Sequence, residues 1–187
     1  MKINVVGTSG SGKSTFARRL ADTLGVPYIE LDRLYWRANW QGTPDAAFMT
    51  RIAETLRAAP DGWVLDGNYN RTREVKWREV DTIIWLDYGF ARTLYQAVKR
   101  AIARAVSQQE LWPGTGNRES LRQSFFSRES IVWWTIKTWR SNRRRYQADM
   151  TNPLFSHLHF VHLRSPAEAR NYLRSLTSPA GCSTLKQ

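Results

Sequence analysis

The chain has 187 residues and a formal net charge of +12 at neutral pH, enough length for one domain with its own core and no need of covalent staples. Its lone cysteine, Cys182, excludes an internal disulfide and points to a reducing compartment. No apolar run approaches the roughly 18 residues of a membrane span and no signal-peptide pattern precedes the first predicted strand, so a cytoplasmic setting away from any membrane is expected.

The short β-branched run at residues 2–6 reads as a buried parallel strand. Gly7-Thr8-Ser9-Gly10-Ser11-Gly12-Lys13-Ser14 follows, with Thr15 behind it. This is an uninterrupted G-x-x-x-x-G-K-S spacing. Phe16, Leu20 and Leu24 then recur every fourth residue and mark one face of a helix. Strand, glycine-rich loop and helix in that order are the setting in which such a loop holds phosphate. Its glycines let backbone N–H groups wrap the anion, and the helix N-terminus adds about half a positive charge. In that arrangement Lys13 reaches the β- and γ-phosphates and the Ser14 hydroxyl ligates Mg²⁺. The residues therefore predict binding of a nucleoside triphosphate, with ATP and Mg²⁺ as the expected cofactors.

Gly25-Val26-Pro27 stops the helix, and residues 28–31 form a second predicted strand that ends on Asp32. Asp32 is followed by Arg33, Tyr35, Trp36, Arg37 and Trp40. A carboxylate there can accept a proton from an acceptor hydroxyl or orient it, while the aromatics either stack on a ring or join the core. Thr43 as N-cap, Pro44 at the first position and Asp45 behind it predict a helix carrying Phe48, Ile52 and Leu56. Residues 63–65 and 82–86 are the third and fourth strands, closing on Asp66-Gly67 and Asp87. A long helix is predicted from residue 90 to about 106, with Leu94, Val98 and Ile102 in register. Pro113, Gly114 and Gly116 break it into a loop. A second long helix runs from 131 to about 146 with Val132, Ile136 and Trp139 on one face. The last strand covers 160–163, a helix begins at Pro166, and residues 177–187 read as a flexible tail.

Strands alternating with helices predict a parallel α/β sheet, whose ligands sit beyond the carboxyl ends of the strands. The glycine loop, Asp32, Asp66 and Asp87 all fall at such ends, which argues for one site in one domain spanning 1–176. The charge is concentrated: twelve basic residues lie between Arg92 and Arg145, opposed only by Glu110, Glu119 and Glu129. Arginine outnumbers lysine 22 to 6, and arginine is suited to bidentate phosphate contacts. Such a face suits a phosphorylated small molecule or a nucleic acid. The three histidines, His157, His159 and His162, lack a metal-ligand pattern and read as structural.

The phosphate loop, Leu31-Asp32, Trp63-Val-Leu-Asp-Gly-Asn-Tyr69 and Val80-Asp-Thr-Ile-Ile-Trp-Leu-Asp87 together resemble the adenylate kinase-like P-loop kinases, and among them the small DNA topology modulation proteins. The resemblance covers roughly residues 1–106 and the basic helix ending at Arg145. It implies a three-layer α/β/α fold with a five-stranded sheet in the order 2-3-1-4-5, and a nucleoside monophosphate kinase-like helical lid over about residues 108–130. Asp66 and Asp87 compete for the magnesium role; Asp66 matches the family's position and is preferred, with Asp87 read as a cap or turn acid. Arg100 and Arg104 share a helix face and are similar to the phosphate-gripping arginines of adenylate kinases. Arg118, Arg122 and Arg128 lie within the expected lid. The expected activity is transfer of the γ-phosphoryl group of ATP to a nucleotide or other small acceptor, by a monomer or weak homodimer. The alternative is a nucleic-acid-associated NTPase that uses the arginine-rich helix on phosphate backbones.

Overall fold

The computed structural model describes residues 1–119 and 130–177. Five parallel strands, β1 (Lys2–Gly7), β2 (Tyr28–Glu30), β3 (Trp63–Asp66), β4 (Thr82–Leu86) and β5 (His159–Leu163), form one sheet in the order β2-β3-β1-β4-β5. The expected sheet and order are found. Because side chains alternate along a strand, each strand feeds both faces. Trp63 and Leu65 of β3, with Ile83 and Trp85 of β4, pack on one side with Phe48, Ile52 and Leu56 of α3 (Asp45–Arg57) and Tyr146 of α6 (Ile131–Met150). Ile3, Val5, Val64 and Ile84 pack on the other side with Phe16 and Leu20 of α1 (Lys13–Leu24) and Ala169 of α7 (Pro166–Thr177). Helices thus cover both faces, as an all-parallel sheet requires. Among the described residues no helix is long and apolar enough to cross a membrane.

Register aligns the carboxyl ends of the strands. Asp66 lies beside Val5 of β1 and Glu30 of β2, and Gly7 lies beside Leu86 of β4. The phosphate loop, Glu30, Asp66 and Asp87 therefore open onto one edge.

Four local expectations are corrected. The second strand stops at Glu30; Leu31–Tyr35 forms a short helix, α2, so Asp32 stands in a first helical turn rather than at a strand end. The helix after Thr43 starts at Asp45 with Pro44 as its N-cap, because the Thr43 hydroxyl donates to the Tyr35 carbonyl (2.7 Å) and is spent on the preceding turn. On α5 (Phe90–Ser107) the buried stripe is Thr93, Ala97, Ala101 and Ala105, while Ile102 is 45 % exposed. On α6, which runs on to Met150, the inward positions are Thr135, Asn142, Tyr146 and Asp149, and Ile136 faces solvent.

The alanine stripe has a reason. A Cβ at Gly10 of the phosphate loop would lie 2.5 Å from the Thr93 carbonyl and 2.9 Å from the Ala97 Cβ. Only small side chains on α5 and a glycine in the loop permit that approach.

Beyond α5 the chain folds back through an antiparallel bridge between Glu110 and Arg118. Trp112 is buried there, stacked on Trp36 at 6.3 Å and edge-on to Trp40 at 5.9 Å. The Asn117 side chain accepts from the Trp40 N–H (3.0 Å) and donates to the Arg37 carbonyl (2.8 Å). The start of the expected lid is thereby docked on the turn after α2.

Candidate active site

The loop between β1 and α1 is built to expose N–H groups. Gly10 and Gly12 both take left-handed conformations (φ 84°), and Gly12 stands immediately before the first turn of α1. The free N–H groups and the positive end of α1 face a cavity of about 320 Å³. Gly10, Gly12, Lys13, Ser14 and Thr15 line it on the loop side, and Arg18, Glu30, Gln96, Arg100 and Arg104 close it from α1, β2 and α5. Of the remaining loop residues, Thr8 is buried and its carbonyl accepts the Ser11 N–H (3.0 Å), which closes the turn. Arg100 donates to the Ser9 hydroxyl (2.8 Å) while its Nε is buried without a partner. Burial and then the neighbouring Arg104 push its pKa down from the usual guanidinium range. Arg104 pairs with Glu119 at 2.9 Å.

The chemistry of the donor set fits a phosphate-bound magnesium ion. Asp66 is 3 % exposed; one carboxylate oxygen accepts from the Tyr28 hydroxyl (2.9 Å), and the other is buried with no partner. A buried carboxylate oxygen without a donor is costly unless a cation completes it. Ser14 lines the phosphate-loop cavity, and Asp66 ends the strand next to the one that leads into that loop. Tyr28 is held neutral: burial first, then Asp66 and Glu30, push its pKa well above the usual phenol value.

Asn68, two residues beyond, clasps the loop. Its Oδ1 accepts the Gly7 N–H (3.0 Å) and its Nδ2 donates to the Gly7 carbonyl (2.8 Å), reproducing a strand pairing with one side chain. The Tyr146 hydroxyl donates to the same Oδ1 (3.0 Å). Tyr69 then adopts a positive φ of 25° and gives its hydroxyl to Asp32 Oδ1 (2.7 Å). The turn from Asp66 to Tyr69 thus joins the candidate metal carboxylate, the phosphate loop and Asp32.

Under this turn lies Lys76, 1 % exposed, at the end of the short α4 (Arg73–Lys76). Its ammonium donates to the carbonyls of Gly67 (3.3 Å) and Asn68. Burial, then Arg73 and Arg145, push its pKa down to about 7. A lysine whose folded pKa lies below its unfolded value opposes folding while protonated. The penalty is full below about 7 and fades as pH rises toward the unfolded value of 10.5. The melting temperature of Lys76→Met minus that of the native chain should therefore fall steadily between about pH 7 and about pH 10. A difference independent of pH would remove the buried charge from the account.

The other expected residues divide. Asp87 is not a cap: Gly89 precedes α5, and one Asp87 carboxylate oxygen instead forms an ion pair with Arg143 (3.1 Å) and hydrogen-bonds His162 Nε2 (2.9 Å). His162 stacks on Trp85 at 4.1 Å, a structural placement. Arg71, to which the sequence alone assigns no role, pairs with Asp45 (3.2 Å) and lies over the Tyr35 ring at 4.8 Å. Arg118 is exposed and outside the cavity lining. Arg122 and Arg128 lie outside the described residues. Glu30, Gln96 and Lys76 had no local signal in the sequence, and Asn68 and Tyr69 stood in a resembling motif without a role of their own; register and packing bring them in.

The overall path of the chain matches the unliganded crystal structure of a sugar kinase from Janibacter sp. HTCC2649, with a TM-score of 0.52 at 17 % identity, over 96 % of this chain and 91 % of that one. The fold is that of a P-loop kinase. No protein-family model matches the chain. Two curated relatives, cytidylate kinases of Nitratidesulfovibrio vulgaris strains Hildenborough and DP4, are 35 % and 40 % identical over 88 residues. Each match covers 39 % of this chain and 38 % of the relative, so the chain spans about two fifths of the length of the curated relatives it matches.

Proposed function

We propose that this P-loop kinase-like chain transfers the γ-phosphoryl group of ATP to a small acceptor, with Mg²⁺ held by Ser14 and Asp66. The observation that carries the reading is a cavity shared by the phosphate loop and the cations Lys13, Arg18, Arg100 and Arg104, with a buried, incompletely satisfied Asp66 on the strand next to β1. Both cytidylate kinase and sugar kinase, the activities named for the similar proteins, move phosphate to a small molecule.

Phosphoryl transfer asks a protein mainly to position the partners and neutralise charge. The loop's N–H groups and Lys13 hold the β- and γ-phosphates. Arg100 and Arg104 meet the charge that spreads over the transferring group. Asp32, fixed by Tyr69, orients the acceptor hydroxyl and receives its proton. When bound, magnesium supplies further neutralisation of the phosphates. The segment from Gln108 to Glu119, anchored at Trp112 and Asn117, covers this side of the site and excludes water. The test is ATP consumption across nucleoside monophosphates, nucleosides, sugars and amino alcohols; no acceptor-dependent consumption in any class would reject the reading.

A second reading rests on α6. Trp133, Lys137, Arg140 and Arg144 fall at helical spacing on one exposed face, the combination of rings and cations used on single-stranded nucleic acid. Binding to an oligonucleotide that falls steeply with added salt would favour it.

A further inference from the structure

The acceptor half of the site has a charge character of its own. Three carboxylates crowd the ends of β2 and β3. Glu30 and Asp66 are register partners on adjacent strands, and Asp32 begins the helix that follows β2 directly. Glu30 faces the cavity and is held above the ordinary carboxylate range, by burial first and then by Asp32 and Asp66. With Asp66 given to the metal, Glu30 and Asp32 are what an acceptor meets.

Most cations on this side are already engaged. Arg18 pairs with Glu30 (3.4 Å). Arg37 donates to the Gly42 carbonyl (2.9 Å) and Arg51 to the Leu34 carbonyl (3.3 Å). Arg71, which follows the Asp66 turn, pairs with Asp45 and lies over the rings of Tyr35, Phe48 and Tyr69. Arg33 is exposed on α2. Arg100 is turned to the phosphate loop through Ser9. A phosphate monoester placed against Glu30 and Asp32 would bring about two further negative charges to a pair of carboxylates whose neighbouring cations Arg18 and Arg100 are turned to Glu30 and Ser9. Such an arrangement rejects that ligand. What the walls do offer is hydrogen-bond acceptors and indole rings: Trp112, stacked on Trp36, donates its N–H to Glu30 (3.5 Å).

We infer that the phosphoryl acceptor is a phosphate-free hydroxyl compound, neutral or cationic, whose hydroxyls are read by Glu30 and Asp32, and not a nucleoside monophosphate. The inference rests on the kinase reading above. In the transfer the acceptor oxygen forms its bond to the γ-phosphorus as the bond between the γ-phosphorus and the β,γ-bridging oxygen breaks. ADP departs with that bridging oxygen, and the hydroxyl proton passes to the Asp32 carboxylate.

Four measurements on the full chain test it. Binding of MgATP by calorimetry comes first; its absence rejects the kinase reading itself, and the inference with it. With MgATP bound, sugars, polyols and amino alcohols are expected to include a compound that raises ADP release about tenfold or more, whereas cytidine, uridine and adenosine monophosphates leave it at the acceptor-free rate. Turnover of any monophosphate, or of nothing in the hydroxyl set, overturns the inference. Third, the double variant Glu30→Gln, Asp32→Asn, with its fold checked by circular dichroism, is titrated with cytidine monophosphate in the presence of a non-hydrolysable ATP analogue. Removing two repelling charges should tighten that binding by about tenfold or more over the native chain. Unchanged binding overturns the electrostatic exclusion. For the single variant Asp32→Asn, turnover of the hydroxyl acceptor should fall about a hundredfold with ATP affinity intact. A loss confined to ATP affinity would make Asp32 a structural residue and overturn its assigned contact.

Discussion

Lys13→Ala is expected to remain folded and to lose about 10²–10³-fold in turnover. The side chain is half-buried in the cavity and belongs to neither core cluster, so its removal leaves no apolar void. It stands in the first turn of α1, where a cation opposes the positive end of the helix. Its loss should therefore leave the melting temperature unchanged or slightly higher. What disappears is a charge aimed at the transferring phosphoryl group, an interaction stronger in the transition state than in the ground state. Steady-state kinetics with an identified acceptor and a thermal melt decide the matter. Native turnover in the folded variant would mean that chemistry happens elsewhere.

Asp66→Asn and Asp87→Asn should separate into a catalytic and a structural defect. Asn at 66 keeps an oxygen for the Tyr28 hydroxyl but loses the charge on an oxygen that no protein donor meets. We expect a large fall in turnover, partly restored by excess magnesium, and little change in stability. Asp87 is the common partner of Arg143 and His162, with its side chain 4 % exposed. Neutralising it leaves Arg143 facing an amide and removes the tie between β4, β5 and α6. Because the Arg143 side chain is 43 % exposed, water recovers part of the loss, and about 1–3 kcal/mol of stability is at stake. Chemical denaturation and a magnesium titration of turnover distinguish the two. Should Asp87→Asn lose turnover while keeping its stability, the metal carboxylate belongs to β4.

The phosphate loop was legible because it is local: strand, glycines, lysine and hydroxyl follow one another, and the short range fixes the conformation. The sheet order came from the resemblance, carried by short motifs that each end a strand. What stayed illegible depends on what lies across the gap. Large apolar residues suggested the inner face of α5, but the neighbour is a glycine loop at van der Waals range, so alanines turn inward and Ile102 outward. Thr43 carries a capping side chain, yet a nearer carbonyl takes it. Lys76 looks like any surface lysine until α4 tucks it beneath the Gly67–Asn68 turn. Asn68 has no spacing rule because its partner is Gly7, reached only through the β1–β3 register.

The tryptophan trio has an optical consequence. Trp36 and Trp112 lie nearly parallel, 19° apart, with Trp40 edge-on to both. Indoles at such separations share their excited states, so the pair should contribute a signed couplet to the ultraviolet circular dichroism that isolated rings lack. One ring belongs to the turn after α2 and another to the segment after α5, and their packing and Asn117 join those two pieces of chain. The amplitude of that couplet is a built-in gauge of whether they are together. It can be followed through a titration without any label, and a single Trp112→Phe variant provides its zero.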